Sequence, residues 1–218
     1  MAGTAETATR VSRAVTKGME VADYVLVHGG RRDGSLWSKV VPLLEEKGHR
    51  AFAPSLPDPS TSTLGGFIDM VCALIEDEGL EGVVLVGHSS GALVITGVAD
   101  RMTERISRLV FVDSSVPING KSLYGMFEDV GISSREYGLP QDPPWLEPLY
   151  FDEEKRKKLP KTYVFSAKGE FIAVAKPFFD KVVENAERDN WKYYSLDAGH
   201  ESMVSHPNEL AQILLEED

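Results

Sequence analysis

From residue 23 onward the chain alternates short apolar runs with longer segments whose apolar residues recur every three or four positions. "DYVLVHGG" (23–30) is β-rich and ends in glycines. "LWSKVVPLLEEKG" (36–48) sets Leu36, Val40, Leu43 and Leu44 near helical spacing, with Gly48 as a stop. "RAFAPSLP" (50–57) predicts a short strand running into a Pro-rich loop. "GFIDMVCALIEDEG" (66–79) gathers Phe67, Met70, Val71, Leu74 and Ile75 on one helical face. "EGVVLVGH" (81–88) is apolar without alternation, the pattern of a strand buried on both faces. "SGALVITGVADRM" (90–102) predicts a helix and "SRLVFVDSS" (107–115) a strand. "KTYVFSA" (161–167) and "WKYYSLD" (191–197) predict two more strands, with "FFDKVVENAERD" (178–189) helical between them. "PNELAQILLEE" (207–217) closes the chain as a helix with Pro in its first turn. Six strands alternating with helices predict an α/β fold with a mostly parallel sheet.

Residues 116–160 break this rhythm and are too long for a simple connection. They carry Tyr124, Phe127, Tyr137, Trp145, Tyr150 and Phe151, and read as a small cap over the end of the sheet. Residues 1–20 have no apolar core of a secretory signal and read as a flexible tail, which leaves 21–217 as one domain. A cytoplasmic location is then the default expectation.

Composition narrows the partners. The chain has 218 residues, 42% of them apolar, and a net charge of −11. So acidic a surface argues against nucleic acid or an anionic membrane and leaves a small-molecule substrate as the expected partner, for a monomer or homodimer. No apolar run approaches a membrane span. The single cysteine, Cys72, excludes an intrachain disulfide, reads as a helix-face hydrophobe, and leaves no metal-ligand cluster.

The candidate chemistry centres on "GHSSG" (87–91), which fits G-x-S-x-G with Ser89 in the middle. An apolar strand before it and a helix after it match a sharp turn that presents one side chain, with small residues allowing close approach. Ser90 lacks the glycine spacing. A serine hydroxyl needs a base. His200, in "LDAGHESM" after the last strand, falls on the same sheet edge as Ser89 and is assigned as that base. His49 lies at a helix end and is expected to be exposed. His88 is expected to pack or hydrogen-bond away from the nucleophile. The amides of Ser90 and of Gly30, in "HGG" (28–30), would hold an oxyanion. Arg31 and Arg32 beside that loop are read first as surface residues and second as contacts for an anionic group.

"VLVHGG", "VVLVGHSSGALV", "LVFVDSSVP" and "AGHESMVSHPNELAQIL" together resemble the α/β-hydrolase superfamily, within it the methylesterase and hydroxynitrile-lyase-like branch and related bacterial esterases. The resemblance runs from about residue 23 to 217 and is poor over 118–160. It implies a three-layer fold, a cap, no cofactor, and roles for Ser89, His200, Gly30 and Ser90 as given. It also implies an acid after the next-to-last strand, and there the chain departs: the matching position is Gly169, beside Glu170. Asp113, at the end of the strand after the nucleophile's, is the other candidate, since some members place the acid there. Asp113 is preferred and Glu170 kept as the alternative. Asp197 is read as supporting a local turn. The expected activity is hydrolysis of a small, moderately apolar carboxylic ester through an acyl-enzyme. The alternatives are a lyase, dehydratase or cyclase using Ser and His for acid–base work, and a small-molecule binding protein.

Overall fold

The computed structural model describes residues 21–216. The tail expected over 1–20 and residue 217 of the last predicted helix lie outside them. Six parallel strands, β1 (Asp23–Val27), β2 (Arg50–Phe52), β3 (Val83–His88), β4 (Ile106–Val112), β5 (Lys161–Ser166) and β6 (Trp191–Leu196), form one sheet in the order β2-β1-β3-β4-β5-β6. The continuous apolar runs have a direct cause. Val25, Leu85, Leu109, Phe111 and Tyr163 enter one core, while their neighbours Leu26, Val86, Val110, Val112 and Val164 enter a second core on the other face. Side chains alternate along a strand, so a sheet covered on both faces needs apolar residues at every position.

The first core is closed by α2 (Leu64–Asp77), α3 (Gly91–Arg101) and α7 (Ile172–Glu184). In α2, Thr63 caps the Gly66 amide and Leu64, Phe67, Ile68, Val71 and Ile75 are buried, whereas Met70 and Leu74 are half-buried. The second core is closed by α1 (Val41–Glu45), the short α8 (Ser202–Ser205) through Met203, and α9 (Pro207–Leu215), with Trp37, Leu44, Leu210 and Leu214 fully enclosed.

Two predicted helices change shape. The single helix over 36–48 is instead a 3-10 turn, Gly34–Trp37, followed by short α1, because Asp33 caps the turn and Pro42 restarts the helix in its first positions. The helix over 178–189 is α7, which begins six residues earlier and ends at Glu184. Pro177 therefore lies inside it, tolerated because Val174, Ala175, Phe178 and Val182 anchor the helix to the sheet.

Residues 116–160 fold as α4 (Leu123–Asp129), α5 (Pro143–Leu146) and α6 (Glu153–Lys158), tied by an antiparallel bridge between Lys121 and Leu149. Tyr124, Phe127, Trp145 and Phe151 pack into the first core, whereas Tyr137 and Tyr150 are exposed. The segment lies over the carboxyl edge of the sheet, since Leu123, Tyr124, Phe127, Leu139, Pro140 and Trp145 wall the cavity there.

Candidate active site

The site begins with two backbone positions. β3 and β4 each run into a non-glycine residue in left-handed geometry, Ser89 at φ 51° and Asp113 at φ 44°. Both are pinned by the sheet: Ser89 N–H donates to the Val112 carbonyl (3.1 Å), and Asp113 N–H donates to the Val164 carbonyl (2.8 Å). Backbone so placed costs on the order of 1–3 kcal/mol and persists where surroundings over-determine it. The flanking glycines show how. A Cβ on Gly91 would stand 2.8 Å from the Val27 carbonyl oxygen, and one on Gly29 would stand 2.8 Å from the Ser89 Cβ. The turn after β3 thus fits against the loop after β1 only without side chains at both positions.

His200, 8% exposed, comes from the loop after β6, and its Nδ1 lies 2.7 Å from Asp113 Oδ2. A carboxylate accepts, so Nδ1 carries the proton and Nε2 is the free lone pair. Asp113 Oδ1 accepts the Ser166 N–H at 3.1 Å, which fixes the other carboxylate oxygen. Glu170 is exposed on the rim of the same cavity, while the carboxylate bonded to His200 is that of Asp113. Asp197 pairs with Lys168 at the surface.

Gly169 explains the departure seen in the sequence. A Cβ at that position would be 3.1 Å from Asp113 Oδ2 and 3.3 Å from the His200 amide nitrogen. The space that a side chain at 169 would need is filled by the carboxylate reaching across from β4.

Ser89, His200, Asp113, Gly30 and Ser90 all line one cavity of about 350 Å³. Its walls are largely apolar, from Leu123, Tyr124, Phe127, Trp145, Phe171 and Val174. A Cβ on Gly30 would be 3.5 Å from the Trp145 ring and 3.7 Å from Ser90 Oγ, so the two residues expected to donate to the oxyanion stand side by side in space, with Trp145 against Gly30. The loop carrying Gly30 is locked by His28. The Leu56 amide donates to its Nε2 (2.9 Å), which leaves Nδ1–H to donate to the Gly29 carbonyl (2.7 Å). Burial chiefly lowers the pKa of this ring and favours its neutral form. At the mouth, Arg32 pairs with Glu201 and Arg31 reaches the Gly138 carbonyl; both arginines are exposed. Tyr124 donates to the Pro140 carbonyl, and burial with help from Asp142 pushes its hydroxyl up to about 12, so it stays protonated.

Sequence reasoning missed some of this. Phe171 packs on the His200 ring at 4.7 Å, and Trp145 roofs the Gly30 loop. Neither sits in a motif. His49 is half-buried, its Nδ1 accepting the Ala22 N–H at 3.1 Å. Cys72 is half-buried on α2. Among the described residues no group of His, Cys, Asp and Glu is placed to hold a metal ion, and no helix is long and apolar enough to cross a membrane.

A parallel sheet with a strained serine turn at the carboxyl end of one strand, and a histidine–carboxylate pair from two others, defines the class as α/β hydrolase in fold. Its sequence agrees: residues 24–194 match the model of the alpha/beta hydrolase family, and the chain belongs to that family. A carbendazim hydrolyzing esterase of Nocardioides sp. (strain SG-4G) is 39% identical over 114 residues, covering 49% of this chain and 47% of that protein. Methylesterase 8 of Arabidopsis thaliana is 39% identical over 106 residues, covering 43% and 38%. The matches thus span less than half the length of these curated relatives. Among solved structures, an extracellular α/β-hydrolase from a Paenibacillus species superposes with a TM-score of 0.70 at 19% identity, covering 89% of this chain and 98% of that one. A methylesterase from Arabidopsis gives 0.67 at 24% identity, covering 89% and 98%. At such identities the likeness to these structures is one of fold.

Proposed function

We propose that the chain hydrolyses small, moderately apolar carboxylic esters through an acyl-enzyme. Ser89 Oγ attacks the ester carbonyl while His200 Nε2 takes its proton, and Asp113 holds the imidazole and the imidazolium that forms. The Gly30 and Ser90 amides receive the developing oxyanion. His200 then returns the proton to the leaving alcohol. Water, deprotonated by the same nitrogen, attacks the acyl carbonyl and releases the acid and free Ser89. The observation that carries this reading is the buried His200–Asp113 bond of 2.7 Å in the cavity that Ser89 lines. The apolar walls support an apolar substrate, and the relatives named methylesterases make methyl esters natural first substrates.

The test is a panel of p-nitrophenyl and methyl esters of increasing acyl length with the wild type and Ser89→Ala, alongside fluorophosphonate labelling. Turnover and labelling of the wild type, both lost in Ser89→Ala, are expected. An unlabelled wild type that turns over no ester overturns the reading in favour of acid–base lyase chemistry or binding.

A further inference from the structure

β3 ends one residue before Ser89, at His88, which is 2% exposed. Its Nε2 lies 3.0 Å from the backbone carbonyl oxygen of His200. A carbonyl accepts only, so Nε2 carries the proton and Nδ1 is bare. Among the described residues Nδ1 has no hydrogen-bond partner. The His88 ring stands 4.4 Å from the His200 ring at 48°. On another side the loop after β1 rests on it, since a Cβ on Gly29 would be 3.1 Å from His88 Nδ1. One buried side chain therefore joins the serine turn, the Gly29–Gly30 loop and the loop that carries His200.

We propose that His88 is a positioning residue for His200, its Nε2–H holding the His200 carbonyl and its ring seating the His200 imidazole beside Ser89. The inference rests on the reading of His200 as the base. The bond sets the peptide plane at residue 200, and hence where the side chain leaves the backbone. A misplacement of about 1 Å at a reacting group can cost roughly 100-fold in rate. The ring is also a quiet neighbour. Burial first, then the proximity of His200, His28 and Arg32, disfavours a proton on His88. It therefore stays neutral while His200 gains and loses its proton, and it keeps a single tautomer because the carbonyl demands one.

The chemistry separates hydrogen bond from bulk. Glutamine carries an amide N–H about as far from the backbone as Nε2, whereas phenylalanine fills the ring's volume with no donor. His88→Phe is expected to lower kcat for p-nitrophenyl acetate, and the rate of Ser89 labelling by a fluorophosphonate, about 10- to 100-fold with KM nearly unchanged. His88→Gln is expected to recover about tenfold of that loss. In wild-type protein with ¹⁵N-labelled histidine, the NMR signals of His88 should show a neutral Nε2–H ring from about pH 8 to about pH 5. Equal losses in folded Phe and Gln variants, or no loss in the Phe variant, overturn the proposal. So does an Nδ1–H tautomer or a titrating His88 in the wild type, a result that needs no variant to fold. If the wild type shows neither turnover nor labelling, the esterase reading falls, while the NMR spectrum still decides the His88–His200 bond.

Discussion

At the scale of single residues, the carboxylate that meets His200 is held where two loops meet. Asp113 bonds His200 at 2.7 Å across 87 positions of sequence, and Gly169 leaves the room for it. Asp113→Asn should therefore lower kcat by about 10³–10⁴, by destroying the tautomer and charge match, while Glu170→Gln at the exposed rim changes it by less than about threefold. A steady-state comparison of the two variants checks this. Placing the carboxylate on the other loop, Gly169→Asp in an Asp113→Ala background, should regain about 10-fold or more over Asp113→Ala alone. That Ser89 and His200 would meet at one sheet edge was legible in the sequence, because each sits in a local pattern at a strand's end. Which carboxylate, Asp113 or Glu170, would contact His200 was not, because it depends on how closely two distant loops approach. The one visible sign was a glycine where the family pattern implies an acid.

At the scale of elements, the strands were legible to within a few residues because burial on both faces writes an unbroken apolar run. Helix boundaries were less so. Pro42 and Pro177 are local signals, and their effect depended on packing: Pro42 opens α1, while Pro177 rides inside α7. The end of α6 shows a different economy. Lys161 Nζ, with the residue 3% exposed, donates to the carbonyls of Leu159 (2.9 Å), Arg156 (3.3 Å) and Lys157 (3.4 Å). Burial first, then the charge of Arg156, lowers its pKa from 10.5 to about 8, with Asp189 and Glu153 pulling the other way. Between those values the unfolded chain holds a proton that the folded chain has released, so the stability contributed by this residue rises with pH from about 8 to about 10.5. Urea midpoints at about pH 7.5 and about pH 9.5 should show wild type gaining on Lys161→Met as pH rises.

At the scale of the whole molecule, the sheet divides the interior into two cores, and the cavity belongs to one side. Phe67 lies 5.8 Å from Trp145, which roofs the Gly30 loop, so Phe67→Ala should cost about 3–5 kcal/mol and also raise KM. Leu44, fully buried in the second core, should cost about 2–5 kcal/mol as Leu44→Ala and leave kcat/KM unaltered. Denaturant melts read alongside kinetics separate the two faces. The mostly parallel sheet was legible from alternation, and the three-layer arrangement from the family resemblance. That 116–160 would wall the cavity with Leu123, Tyr124, Phe127 and Trp145 while leaving Tyr137 and Tyr150 outside was not, since aromatic content does not say which rings face inward.

The left-handed backbone at Ser89 has a consequence for anyone breeding sturdier variants of this protein. Glycine at that position relieves the steric cost of φ 51°, so Ser89→Gly should melt higher, by about 2–4 °C for each kcal/mol regained, while ester turnover disappears. A library ranked by heat resistance alone would accordingly reward loss of the hydroxyl proposed as nucleophile. Its most durable winners would keep the fold without that hydroxyl, so a screen for toughness needs an ester-turnover gate from its first round.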